Sequence, residues 1–143
     1  MSSKAAEALG KMLRDMHADR SGYARLRELL DAQFQAALRH QGQELVGLAE
    51  EISGLVDELE VRRAERSRLL TLLMGREVAP SIDALLQRLP AKVGQTITVA
   101  WQGLEQQVRE CKSMNLRNCQ LITEQHALMQ RAMGIEEPGY AQP

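Results

Sequence analysis

The sequence predicts an all-α fold, either an antiparallel bundle or an extended coiled coil of about four helices, two of them long. Aromatic residues make up only 3% of the 143 residues, whereas Leu, Ala, Gln, Glu and Arg dominate, which is typical of long helices. Apolar residues recur at helical spacing through most of the chain. The first proline is Pro80, so nothing in the first half forces a long helix to end.

The composition excludes several classes of protein. Eighteen basic and nineteen acidic residues give a net charge of −1, and the two signs alternate along the chain, which disfavours nucleic-acid binding. The longest apolar runs, such as LLTLLM at 69–74, are far shorter than the roughly 20 residues that span a bilayer. The N-terminal residues lack the continuous apolar core of a secretory signal. We therefore expect a cytoplasmic protein without membrane insertion.

The first predicted element is a short N-terminal helix followed by a break at DRSG, 19–22, where Ser21 could cap a new helix. We expect a single helical domain over residues 1–134, in which residues 1–20 could be a loosely attached helix. Residues 135–143, IEEPGYAQP, have no periodicity and are expected to be a disordered tail.

The second element is a long helix with a heptad repeat. Its apolar positions are Leu26, Leu29, Leu30, Phe34, Ala37, Leu38, Leu45, Leu48, Ile52, Leu55, Leu59, Leu69 and Leu73. Unbroken from 23 to 74, this helix would be roughly 75 Å long and would have to pair with another helix. A kink is expected near Gly42, which is a poor helix former. The basic residues of 58–68 stand at ion-pair spacing from glutamates, which favours a solvated face over a polyanion site.

The remaining elements are delimited by glycine and proline. Gly75 is expected to end the long helix, and a short helix at 81–89 fits between Pro80 and Pro90. The last long helix is expected from about Val93 to Met133, with Gly134 after it.

We found no local signature of catalysis, nucleotide binding or metalloprotease chemistry, so we predict that the protein is not an enzyme and needs no cofactor. Cys111 and Cys119 are eight residues apart, which separates their Cα atoms by roughly 12 Å on one helix. A disulfide needs about 4.4–6.8 Å, and zinc needs neighbouring sulfur atoms. Metal and redox sites are therefore disfavoured, and the thiols are expected to pack as small apolar groups.

The last helix carries two apolar faces. At about 100° per residue, one sector roughly 80° wide contains Trp101, Leu104, Val108, Cys111, Asn115, Cys119, Ile122, His126, Met129 and Met133. Asn115 lies near its middle and Asn118 at its edge. A polar amide in an apolar stripe can fix helix register or partner choice; the alternative is a solvated asparagine at an open position.

The second face repeats every seven residues as Met114, Leu121 and Leu128, with Ala132. Such a helix either lies in the middle of a bundle or offers one face to a partner. Since only one other long helix is predicted, we favour a partner.

These features resemble the FlgN family of flagellar type III export chaperones. The similarity rests on LRELL at 26–30, RSRLLTLLMG at 66–75, the lone Trp101, and NLRNCQLI at 115–122, and it covers roughly residues 22–134. The shortest motif in this similarity is the pair Asn115 and Asn118, followed by Leu121 and Ile122.

The resemblance implies a cytoplasmic chaperone that binds the C-terminal amphipathic regions of the hook-filament junction (hook-associated) proteins. Such a chaperone would prevent premature self-assembly and deliver its cargo to the flagellar export gate. The alternative is a coiled-coil protein that only associates with itself, as a homodimer. The residues expected to bind the partner are Met114, Asn115, Asn118, Leu121, Ile122, Leu128, Met129 and Ala132. Whether the two asparagines face the chaperone's own core or its cargo stays open at this point.

Overall fold

The computed structural model describes residues 2–76, 79 and 81–134, and its regular structure there is entirely helical. The four helices are α1 (Ser3–Leu38), α2 (Gly42–Met74), α3 (Ile82–Leu86) and α4 (Ala91–Ala132). The all-α prediction is confirmed. Three of the helices are long, where two were expected, because the chain breaks at a different place from the one predicted.

α1 runs without interruption through the predicted break at 19–22. Its N-cap is Ser2, whose side chain accepts a hydrogen bond from the amide of Ala5. Gly22 lies against α2 so closely that a Cβ atom there would be 2.9 Å from Leu59 Cδ2. The glycine therefore serves a close helix contact and does not end a helix. Residues 3–20 are continuous with the rest of α1, and Met12 and Met16 among them are fully buried in the core.

The chain reverses at residues 39–41, where only a kink near Gly42 was expected. His40 has a φ of 56°, in the left-handed region that non-glycine residues seldom adopt. The amide of Gln41 donates to the carbonyl of Ala36 at 2.9 Å, which closes the end of α1. A straight 23–74 helix would leave its apolar stripe uncovered, whereas the hairpin packs the second half of that stripe onto the first.

The other helix ends lie close to where the sequence places them. Gly75 ends α2 with a φ of 83°, and Gly134 follows α4 with a φ of 73°. α3 is capped by Ser81, whose hydroxyl accepts a hydrogen bond from the amide of Ala84 at 3.0 Å, and α4 begins after Pro90. The predicted tail, 135–143, lies outside the described residues.

α1 is the central helix, with α2 antiparallel on one side and α4 parallel on another. The larger apolar cluster lies around the first half of α1 and includes Met12, Met16, Leu70, Ile97 and Leu104. A smaller cluster surrounds Leu26, Leu30, Leu59 and Cys111. Among the described residues, no Cα atom of α2 comes within 8 Å of one in α4, so α1 holds the two helices apart.

A buried carboxylate joins α1 to α2. Asp19 is 1% exposed and accepts from Arg62 Nε at 2.5 Å and Arg66 Nη1 at 2.6 Å. The guanidinium of Arg66 also lies 5.4 Å from the centre of the Trp101 ring in α4. Because a buried carboxylate needs both charge and hydrogen-bond partners, Asp19 fixes how α2 sits on α1.

Candidate functional site

α4 is held against α1 by a row of side chains that donate to backbone carbonyls of α1. We call this the carbonyl row. Its donor and acceptor pairs are Gln107 to Arg20 (3.1 Å), Cys111 to Tyr23 (3.6 Å, from sulfur), Asn118 to Leu30 (2.7 Å) and Gln125 to Ala37 (2.9 Å). The last three donors are spaced by seven residues, and so are their acceptors. The two helices therefore run parallel with a constant heptad register.

Asn118 is the most enclosed member of the carbonyl row. Its side chain is 1% exposed, and its Nδ2 donates to the carbonyl of Leu30 and to Gln33 Oε1 at 2.9 Å. Its Oδ1 accepts two hydrogen bonds from the guanidinium of Arg117, at 3.0 and 3.1 Å. Asn118 thus faces the chain's own α1. These contacts position α4 on α1, and the expected role of Asn118 in partner binding stays a prediction.

Asn115, three residues earlier, has the opposite environment. It is exposed, as is Cys119 on the following turn, although both were placed within the core stripe. The predicted apolar stripe assumes a rotation of 100° per residue, whereas the contacts of α4 with α1 follow a strict seven-residue repeat. The two periods diverge by about 20° per heptad, so the error grows along the helix. The residues that do face α1 at seven-residue spacing are Ile97, Leu104, Cys111, Asn118 and Gln125.

The predicted second face is divided by the structure. Met114 is half-buried and packs against the smaller cluster, and Leu121 and Ile122 are also half-buried. Leu128 and Ala132 are exposed. The face that starts with Met114 therefore begins as part of the α1 contact and becomes open surface only near the end of α4.

The second face becomes exposed near the end of α4 because α4 extends beyond the last residue of α1. The last three pairs of the carbonyl row have an offset of 88 residues, so Leu38, the last residue of α1, lies level with His126. Beyond that level α4 continues for two turns without α1 beside it. We call residues 127–133 the apolar tip. Leu128 is 60%, Met129 58% and Met133 65% exposed.

The two cysteines differ in environment. Cys111 is buried, and burial, with a smaller contribution from Glu110, raises the pKa of its thiol. Cys119 is exposed. Within the described ranges, His, Cys, Asp and Glu side chains form no group of three or more that could hold a metal ion.

The sequence analysis missed two polar members of the carbonyl row, Gln107 and Gln125. The spacing carried a signal for Gln125, which lies seven residues after Asn118, just as Asn118 lies seven residues after Cys111. It was hidden because glutamines on a surface helix are common. Arg27 and Glu110 were also missed, because charged residues are equally common on surface helices. They form an ion pair at 2.9 Å between α1 and α4.

None of the helices in the described part of the chain is long and apolar enough to cross a membrane. No curated protein and no solved structure matches significantly. A family model described as FlgN protein matches residues 7–138, which extends the similarity to most of α1 and covers nearly the whole chain. The chain therefore belongs to the FlgN family, a family of flagellar export chaperones that bind hook-associated proteins.

Proposed function

We propose that this protein is a cytoplasmic chaperone for the hook-filament junction proteins, and that the apolar tip of α4 contacts their C-terminal amphipathic regions. The chaperone prevents premature assembly of its cargo and delivers it to the flagellar type III export gate. The observation that carries the assignment of the surface is the exposure of Leu128, Met129 and Met133 on a helix that outruns its packing partner.

The chemistry of the apolar tip suits an amphipathic helix. Exposed apolar side chains recur there over two helical turns, which is the pattern that a helix uses to pack against another helix. The methionine side chains are unbranched and adapt to different apolar partners. The half-buried Leu121 and Ile122 precede the tip along α4 and extend the surface, and the exposed Asn115 adds a polar group nearly two turns before them.

The size of the tip favours reversible binding. Covering one leucine or methionine side chain contributes about 1.5–3 kcal/mol before the costs of association are subtracted. Three such side chains support a moderate affinity, which allows release of the cargo at the export gate.

The test compares two double variants of the full chain that carry the same change in charge. Leu128→Glu with Met129→Glu alters the tip. Leu116→Glu with Val99→Glu alters residues on the same helix that are 60% and 62% exposed but lie outside the tip. Each variant is mixed with C-terminal fragments of the junction proteins and examined by size-exclusion chromatography with light scattering.

We expect the tip variant to lose the complex, with at least a tenfold weaker affinity, and the control variant to keep it. Circular dichroism establishes that both are folded. Equal binding by the two variants would show that the cargo contacts another surface. Sedimentation of the chain alone tests the self-association alternative: a dimer that only the tip variant dissolves, together with no binding of junction fragments, would favour that alternative.

A further inference from the structure

A second surface lies further back along α4, away from the apolar tip. Val108 on this surface and Leu128 in the tip are twenty residues apart, which corresponds to about 30 Å of helix. This second surface is an open groove of about 610 Å³ between α2 and α4, above α1. Its apolar side chains come from all three long helices and α3: Tyr23, Leu70, Ile82, Trp101, Leu104 and Val108. A cavity of this size and apolar character is of the kind that binds ligands or peptide side chains.

The groove is bordered by cations on both sides. Arg63 and Arg66 of α2 line one side, and Arg109 and Lys112 of α4 line the other, against two carboxylates, Glu105 and Asp83. We call this surface the basic groove.

The cations on the two sides of the groove differ in whether they already form an ion pair. Arg66 is committed to the buried Asp19, and Arg63 pairs with Glu60 on its own helix. Arg109 and Lys112 have no carboxylate within 4.0 Å in the part of the chain that the structure describes, and Arg109 donates only to Gln106, at 3.1 Å. The α4 edge of the groove, with Glu105, Arg109 and Lys112, therefore carries a net positive charge and offers two cations that are free to meet an acidic partner.

We propose that the basic groove binds an acidic amphipathic helix of a partner protein. The geometry favours a helix because α1, α2 and α4 form three sides of a bundle, and a fourth helix in the groove would complete a four-helix arrangement. Its apolar stripe would cover Trp101 and Tyr23. Acidic residues flanking that stripe would face Arg63 on one side and Arg109 and Lys112 on the other, as flanking charges do in coiled coils.

The lining residues of α4 run from Trp101 to Lys112, about 17 Å of helix. The partner segment is therefore about three helical turns long. Its site is separate from the apolar tip, so the chaperone can hold cargo at one end of α4 and a second protein at the groove.

Trp101 is the only tryptophan of the chain and reports on the groove directly. The experiment titrates the full chain with an 18-residue synthetic peptide that has leucines at heptad positions and glutamates beside them, and records tryptophan emission. A peptide with lysines in place of the glutamates is the charge control. We expect the acidic peptide to shift the emission to shorter wavelength and to bind more weakly as salt is raised.

The matched variants are Arg109→Glu with Lys112→Glu, in the groove, and Arg14→Glu with Lys92→Glu, at exposed positions outside it. The groove variant should bind the acidic peptide about tenfold more weakly, whereas the control variant should bind it as the unmodified chain does. The tip variant Leu128→Glu with Met129→Glu should also bind it normally, which separates this proposal from the one on cargo.

Three results would overturn the proposal. One is equal affinity for the acidic and basic peptides, and another is equal weakening by the groove and control variants. The third is the same emission shift with vesicles of anionic phospholipid, which would assign the groove to a membrane surface.

Discussion

The burial of Asn118 and the exposure of Asn115 allow a sharp test of how α4 is held. The two residues are identical in type, lie three positions apart on one helix, and differ in what they contact. We expect Asn118→Ala to destabilise the protein by about 2–3 kcal/mol and Asn115→Ala to change its stability by less than about 0.5 kcal/mol.

The magnitude follows from the hydrogen bonds of Asn118. Its amide donates at 2.7 Å to Leu30 and at 2.9 Å to Gln33, and its oxygen accepts from Arg117. Each of these three interactions contributes about 1 kcal/mol net. Alanine regains about 0.5 kcal/mol through its higher helix propensity. At position 115 only that propensity gain applies, because the side chain is exposed.

Urea denaturation followed by circular dichroism measures the difference. A loss of this size lowers the urea midpoint of the Asn118→Ala variant by on the order of 1 M, with an unchanged slope. The reasoning would be refuted by midpoints that agree for the two variants. A changed slope would instead show that α4 had left α1 in the native state.

Two further predictions concern helix packing and thiol reactivity. Gly22→Ala should lower the free energy of unfolding by about 1 kcal/mol, because its Cβ would lie 2.9 Å from the buried Leu59 and overpacking outweighs the gain in helix propensity. Gly47→Ala, with nothing within 4 Å of its Cβ, should instead stabilise the protein by about 0.5–1 kcal/mol. Urea midpoints that move in the same direction for both variants would contradict this contrast. Iodoacetamide should modify the exposed Cys119 rapidly and Cys111 slowly, because burial shields Cys111 and raises its pKa. Mass spectrometry of the digested protein measures both rates, and equal rates in the native state would show that α4 opens readily from α1.

The helical content and most helix ends were predictable because they depend on short-range chemistry. Gly75 and Gly134 follow helices with positive φ values, Ser81 caps α3, and Pro90 precedes α4. Each residue acts through its own backbone or through neighbours within one turn. These signals keep their meaning wherever the helices finally pack.

The hairpin at 39–41 shows where such signals fail. The DRSG stretch at 19–22 has the composition of a turn, yet Asp19 and Gly22 serve a buried ion pair and a close contact with α2. Helical hydrogen bonds are satisfied equally in either arrangement. The choice is made by which fold buries more of the apolar stripe, and that depends on residues far away in the chain.

The division of α4 into a packed and an open face has the same origin. Periodicity and family motifs are properties of the chain alone, so they were enough to predict that α4 is long and amphipathic and that the chain is related to the FlgN family. Packing of α4 against α1 buries Asn118, leaves Asn115 in solvent and leaves the tip after residue 126 open. Those outcomes depend on the heptad register between two helices and on the point where α1 ends, and a small periodic error accumulates over a helix of 42 residues.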